Sequence, residues 1–362
     1  MPALFDEKDG IVGGAERYAW ELARHMAREV ETTLLSFGVA DRTFTEGSLR
    51  VRVLGHPWHV RGSRFNPLSV RVLPELLRAD VVHCHQQHVL VSSLSALAGR
   101  LTGRRVFVTD LGGGAWDLSG YVSTDPWFRG HLHISEYSRR VFGQEGKPWS
   151  HVILTGVDTE KFSPDPRVPR TGGALFVGRL LSHKGVDRVI EALPDDLPLD
   201  VVGHPYDPKY FELLQDLARG KRVQFHTGLD DARLIETYRR SRCVVLPSLY
   251  RDRYGNETRV PELMGQTLLE GMACGLPAVC TDVASMPEAV VDGVTGFVVP
   301  PDDLPAMRTA LVTLCTDDTR VATMGVAARA RMLERFQWSQ VVERCLQVYR
   351  DNGPSASRRP ER

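Results

Sequence analysis

The chain has no net charge: its 45 lysines and arginines are matched by 45 aspartates and glutamates over 362 residues. That balance argues against a dedicated nucleic-acid binder, which needs a basic surface for the phosphate backbone. No apolar run is long enough to cross a bilayer, and no secretory signal is visible. Cysteine is sparse. The six are Cys84, Cys243, Cys274, Cys280, Cys315 and Cys345, none of them in a C-x-x-C pair. Most have apolar neighbours, as buried reduced thiols do, so a cytoplasmic location is expected. The adjacent acidic pairs Asp195-Asp196, Asp230-Asp231, Asp302-Asp303 and Asp317-Asp318 sit in turn or helix-start contexts. Those are ordinary capping positions, and no metal site is expected from them.

The length points to two domains. Short β-branched runs alternate with helical patterns. A first set of strands is read at 33–36, 51–54, 80–83, 105–108 and 152–154. A second is read at 175–177, 199–202, 223–225, 243–246 and 278–280. Continuous apolar strands between helices imply parallel sheets covered on both faces, hence two Rossmann-like α/β domains. The proline- and glycine-rich stretch 162–173 reads as the linker. The division expected is 1–163, 164–334, a helix within 335–351 and a polar, disordered tail at 352–362.

Two segments carry chemistry. In 261–277, Glu262 and Glu270 are separated by seven residues, Gly265 among them, and an Ala273-Cys274-Gly275-x-Pro277 turn follows. Thr267 to Cys274 reads as a short buried helix opened and closed by glycine. Its first amides are unpaired and carry the positive end of the dipole, so it attracts anions. One carboxylate before that start and one inside the helix can bind hydroxyls on either side of a phosphate, which suits a sugar nucleotide. In 174–187, a buried strand ends at Gly178-Arg179 and a helix begins near Gly185, with Lys184 just before it. Two cations at a strand-to-helix turn can neutralise a diphosphate.

Together these segments resemble the E-x7-E motif and the G-R-L…K-G-x-D segment of the retaining GT-B glycosyltransferases of family 4. Thr155-Gly156-Val157-Asp158 to Phe162 is similar to that family's N-G-V-D-x-x-x-F segment, with Thr155 in place of asparagine. The resemblance implies two Rossmann-like domains facing a central cleft, with the last helix, Trp338 to Tyr349, crossing back to the N-terminal domain. It implies that Arg179 and Lys184 hold the donor diphosphate, Glu270 the ribose and Glu262 the transferred sugar. Amides of Gly265, Gln266 and Thr267 would hold phosphate or sugar oxygens, and the strand 223–225 would border the base. The donor expected is a UDP- or GDP-sugar, with no other cofactor. The acceptor expected is a glycan, a lipid-linked molecule or a small molecule. Transfer with retention and without a metal is implied.

The N-terminal half holds the acceptor-side candidates and several departures. Gly13 and Gly14 belong to a loop, Gly10 to Glu16, that the family turns toward donor phosphate and acceptor; a plain turn is the alternative. The apolar strand that family members place before this loop is missing here apart from Ala3-Leu4-Phe5. Either it lies upstream of the sequence as given or the sheet is incomplete. His83 and His85 alternate onto one face of a strand end. His85 is read as an acceptor-side contact, with a satisfied structural histidine, or a metal site with His88, as alternatives. In Thr109-Asp110-Leu111-Gly112-Gly113-Gly114, Leu111 stands where many relatives have a sugar-contacting histidine. Asp110 is then the candidate contact, or else a cap for the glycine turn. The segment 249–260 is an insertion rich in tyrosine and arginine that either reads donor or acceptor or is a surface loop. Arg61, Arg64, Arg71 and Arg78 form either a peripheral membrane contact or an ordinary solvated surface. Other functional readings are a GT-B epimerase or phosphorylase, or a catalytically weak nucleotide-sugar-binding protein.

Overall fold

The computed structural model describes residues 14–351. The expected strand remnant Ala3–Phe5, the loop residues Gly10–Gly13 and the tail 352–362 lie outside the described residues. Contacts divide the chain into two compact units, Val157–Gln337 and the remainder, in which Trp338 onward groups with the segment ending at Gly156. The division expected at 163/164 thus falls at 156/157. The reason is packing: Phe162 is buried edge-on against Tyr238 at 5.9 Å, and the Val157 amide donates to the Phe336 carbonyl at 2.7 Å. The Arg170 guanidinium donates to the carbonyls of Ser241 and Gly275. The proline-rich stretch contains no helix or strand, yet it is fastened to the second unit.

The second unit is a six-stranded parallel sheet. Its order is Val223–His226, Leu199–Val202, Ala174–Val177, Cys243–Leu246, Ala278–Thr281 and Gly296–Val299. Phe176, Val201, Val244, Val245 and Val279 are almost completely buried, as strands covered on both faces require. The expected strands recur with ends moved by at most one residue, and Gly296–Val299 is added at the edge.

In the first unit, among the described residues, Thr33–Gly38 pairs in parallel with Leu49–Gly55, which pairs antiparallel with Arg42–Glu46. A separate parallel sheet runs Val81–His85, Arg105–Thr109, Gly130–His133, Ser150–Val152. Two of these strands were not foreseen. Arg42–Glu46 is exposed along its length, so no apolar alternation marks it. Gly130–His133 is wholly buried, but two of its four residues are histidines. The expected strand at 152–154 is found at Ser150–Val152. Helix Gly14–Met26 buries Ala19, Leu22, Ala23 and Met26, and Val30, past its end, is exposed. Trp338, which begins helix Trp338–Asp351, packs on Tyr18 and stacks on His25 at 5.6 and 5.9 Å.

Burial of histidine sets the pH response of this unit. Burial pushes His83 and His133 down to about 3, and burial together with His83 holds His85 well below its ordinary value of 6.5. Unfolded histidine binds a proton near 6.5 while the native rings do not. The stability they contribute is therefore complete above that pH and is lost as pH falls toward 3, at about 1.4 kcal/mol per pH unit for each group. Asp110, raised to about 6, contributes in the opposite sense between 3.8 and 6, but it is one group against three. The urea midpoint should fall between pH ~7 and ~5, and His83→Gln should flatten the profile. An unchanged wild-type midpoint over that interval contradicts the account.

Candidate functional site

In the second unit the strands Ala174–Val177 and Cys243–Leu246 are neighbours, with earlier strands to one side and later strands to the other. This is the switch point of a doubly wound sheet, where a crevice opens beyond the carboxyl ends of the strands. Gly178-Arg179 leaves the first strand, and Pro247-Ser248 leaves the second. Gly185 has a left-handed φ of 68°, and a Cβ there would collide with the Pro247 carbonyl oxygen. Only glycine lets the turn Ser182–Lys184 seat against the neighbouring strand end.

That turn delivers Lys184, which is 8% exposed. Its Nζ lies 2.6 Å from Glu262 Oε2 and donates to the Pro261 carbonyl at 3.2 Å. Glu262 Oε1 accepts from the Gly265 amide at 3.3 Å. The two motifs are thus joined by a largely buried ion pair. Arg179 is exposed, and its guanidinium makes no ion pair among the described residues. His183 is pushed down to about 4, chiefly by burial and then by the charges of Lys184 and Arg179.

The helix spans Gln266–Ala273, one residue earlier than expected at each end. Gly265 precedes it at φ 69°, and no side chain caps it, so the positive end of its dipole is not covered by a capping group. Glu270 is 1% exposed on this helix, and Tyr238 of helix Asp231–Arg240 donates its hydroxyl to Oε2 at 3.0 Å. Arg179, Lys184, Glu262, Gly265, Gln266, Thr267 and Glu270 therefore come from the elements at one end of one sheet.

In the first unit, His83 is a satisfied structural histidine. Its Nε2 pairs with the Thr109 hydroxyl at 2.8 Å and its Nδ1 with the Tyr349 hydroxyl at 2.7 Å. Neither nitrogen is left for a metal. His85 packs on Tyr18 and His83, and its buried Nδ1 has no partner among the described residues. Asp110 is 2% exposed; burial raises it to about 6, offset in part by His88 and the Gly112 amide. Leu111 is buried. Gly14 is the first residue of its helix and is exposed. Of the four arginines read as a surface, Arg71 pairs with Asp41 and Arg78 with Glu75, while Arg61 and Arg64 lie over the rings of Trp116 and Phe65. No helix among the described residues is long and apolar enough to cross a membrane.

The pattern described as Glycosyltransferase Family 4 matches residues 12–161, and that described as Glycosyl transferases group 1 matches 160–331. A D-inositol 3-phosphate glycosyltransferase of Xylanimonas cellulosilytica is 31% identical, over 98% of this chain and 94% of that protein. The chain belongs to the family 4 glycosyltransferases. A GDP-mannose-dependent alpha-(1-6)-phosphatidylinositol monomannoside mannosyltransferase of Mycolicibacterium smegmatis is 33% identical over 57% of this chain, and the match spans 58% of that protein. Against several curated relatives of this kind the chain spans about half of the relative's length. The fold is GT-B. The crystal structure of Anabaena Alr3699/HepE in complex with UDP and glucose superposes with a TM-score of 0.71 at 19% identity, covering 95% of this chain and 98% of that one.

Within this family 4 chain, the insertion 249–260 is a folded hairpin. The backbones of Arg251 and Glu257 form an antiparallel β-bridge, and the Thr258 amide donates to the Tyr250 carbonyl. Asp252 is buried at its centre. It accepts from the Ser182 hydroxyl at 2.5 Å, from the amides of Tyr254 and Asn256, and from the Asn256 carboxamide. Arg253 turns to Asp187 and Glu191, and Tyr250 accepts from the Ala284 amide. The Leu249 amide donates to the His183 carbonyl at 2.8 Å. The insertion therefore braces the turn that carries Lys184. Sequence reasoning missed Ser182, Tyr238 and the buried role of Asp252.

Asp252→Ala should strip the hairpin of its centre, lower stability by about 1–3 kcal/mol and expose Arg251 and Arg253 to trypsin. Wild-type melting together with wild-type protease resistance would show that the hairpin does not depend on this carboxylate.

Proposed function

We propose that the chain transfers a glycosyl group from a UDP- or GDP-sugar to an acceptor hydroxyl, with retention and without a metal. The observation that supports this most is the Lys184–Glu262 ion pair beside the uncapped start of helix Gln266–Ala273, with Arg179 exposed at the same crevice. Arg179 and Lys184 counter charge that develops on the leaving diphosphate. Amides of Gly265, Gln266 and Thr267 take phosphate or sugar oxygens. Glu262 accepts from hydroxyls of the transferred sugar, and Glu270, oriented by Tyr238, accepts from the ribose. With cations and a helix start supplying positive charge, the diphosphate stays on the face where the acceptor attacks, which favours front-face substitution. The named relatives support both nucleotides: one is GDP-mannose-dependent, and a solved structure of the same fold holds UDP and glucose. They also support a polyol or lipid-linked acceptor, since their names include an inositol phosphate and a phosphatidylinositol mannoside.

The two glutamates should separate in calorimetry with bare UDP and GDP. Glu270→Gln should weaken nucleoside-diphosphate binding roughly tenfold through the ribose. Glu262→Gln should leave it equal or tighter, because Lys184 loses its internal partner and is freed for the phosphates. Equal weakening in both variants contradicts the division of roles.

Transfer should persist in excess EDTA, and the new anomeric proton should report the donor's configuration. Activity that is abolished by EDTA and restored by magnesium, or an inverted anomer, defeats the mechanism.

A further inference from the structure

The six cysteines are not alike, and two of them meet in the second unit. Cys243 opens the strand Cys243–Leu246, where it is fully buried opposite Ala174 of the neighbouring strand. Cys315 lies in the last turn of helix Leu304–Thr316 and is partly exposed. The residue before Cys243 fastens the two elements together. The Arg242 amide donates to the Gly173 carbonyl at 2.9 Å and its Nε to the Leu314 carbonyl at 3.2 Å, and its guanidinium pairs with Asp318. Arg242 thus holds residue 243 beside residue 315. The Cys243 thiol donates a hydrogen bond to the Cys315 sulfur.

This contact makes Cys315 chemically different from the other five. The hydrogen bond from Cys243 lowers the Cys315 thiol below its ordinary value of 9.0, against the burial that would raise it. The Arg242 charge and the Ala174 amide add to the lowering. Every other cysteine is raised. The bond to Cys315, and then burial, hold Cys243 well above 9.0. Burial pushes Cys84 up to about 11 and Cys274 and Cys345 up to about 12, and it raises Cys280 as well. The thiolate is the reactive form of cysteine, and it reacts where a reagent can reach it. Cys315 meets both conditions. Cys243 meets neither, and its thiol is directed at Cys315.

We propose that Cys315 and Cys243 form a reversible dithiol–disulfide site, in which Cys315 attacks, Cys243 resolves and a low-molecular-weight disulfide is the oxidant. In the first step the Cys315 thiolate attacks one sulfur of the small disulfide. A bond forms between that sulfur and Cys315, the small disulfide's own S–S bond breaks, and one small thiolate leaves. Capping Cys315 removes the negative charge that held the Cys243 proton. In the second step the Cys243 sulfur attacks Cys315, the mixed disulfide breaks, and the second small thiolate leaves with the Cys243 proton. Two protein thiols are oxidised, and one small disulfide is reduced to two thiols that carry the two protons. A reducing dithiol reverses both steps. The bond forms at the amino end of a central strand, whereas Arg179 and helix Gln266–Ala273 follow the carboxyl ends of their strands. The inference goes beyond the glycosyltransferase reading and does not rest on it.

The test uses the full chain, reduced and freed of reductant, with oxidised glutathione as the probe. Products are trapped with N-ethylmaleimide and mapped by mass spectrometry of a non-reduced tryptic digest. Trypsin releases each cysteine in a peptide of its own, 243–251 and 309–320. A linked pair of these peptides is expected from the wild type, and dithiothreitol should abolish it. Cys243→Ala should stop after the first step and accumulate glutathione on Cys315. Cys315→Ser should give neither product. Limiting iodoacetamide should label Cys315 roughly tenfold faster than the other cysteines. Closing so long a loop restricts the unfolded chain, so oxidation should raise the urea midpoint. No linked pair in the wild type, uniform alkylation of the six thiols, or an oxidised chain no more stable than the reduced one overturns the site, and none of these needs a variant to fold. Glutathione on Cys243 in Cys315→Ser would overturn the assignment of roles. Absence of any thermal shift with UDP or GDP in the reduced wild type would instead sink the glycosyltransferase reading and leave the thiol mapping standing.

Discussion

The second unit is organised around one ion pair. Lys184 and Glu262 are 78 residues apart in sequence, yet their charged atoms lie 2.6 Å from each other. A pair this buried costs desolvation of both ions, and each is compensated by backbone: the Pro261 carbonyl for the ammonium, the Gly265 amide for the carboxylate. Keeping it requires that the strands before the two motifs be adjacent, that the turn at Lys184 press against the Pro247 strand end, and that this turn not drift. Parallel pairing of Ala174–Val177 with Cys243–Leu246 supplies the first condition and Gly185 the second. The Asp252 hairpin supplies the third through Ser182. Loss of any one would leave a charge buried without its partner.

The first unit solves a different problem. Its interior is polar to an unusual degree, with His83, His85, His131 and His133 on strands and Asp110 and Asp117 just beyond or beside a strand end. Some of these groups are satisfied internally: His83 by Thr109 and Tyr349, and Asp117 by Ser93 and Ser119. Others are not: both ring nitrogens of His133, Nδ1 of His85 and Oδ2 of Asp110 are buried with no hydrogen-bond partner among the described residues. Burial that keeps the inner histidines neutral also makes the unit sensitive to acid, so stability and site chemistry share a cause.

Much of the architecture was legible from local pattern. Most strands of the second unit are short, mainly apolar runs such as Ala174–Val177 and Cys243–Leu246, and such runs occur where both faces are covered. The start of helix Gln266–Ala273 was legible because glycine and the apolar period are local signals. Arg179, Lys184, Glu262 and Glu270 were identifiable because motif spacing survives as sequence. Strands without an apolar pattern, Arg42–Glu46 and Gly130–His133, were not legible. Neither was the firm attachment of the proline-rich stretch, since proline and glycine exclude helix and strand but say nothing about side chains such as Phe162 and Arg170.

By itself, then, the sequence determined the fold class, the two-unit organisation, the family and the positions of the anion-binding turn and helix start. The fold class and the two-unit organisation follow from periodicity along the chain, and the family from the resemblance of its motifs. The tertiary structure alone decided which polar groups meet. It brought Tyr238 to Glu270, Ser182 to Asp252, Tyr349 to His83 and Ser119 to His88, pairs separated by 32, 70, 266 and 31 residues. It also decided which of two neighbouring histidines is saturated. A hydrogen bond is a statement about position to within a few tenths of an ångström, and positions of that kind are set by how whole elements pack, not by the order of residues within any one of them.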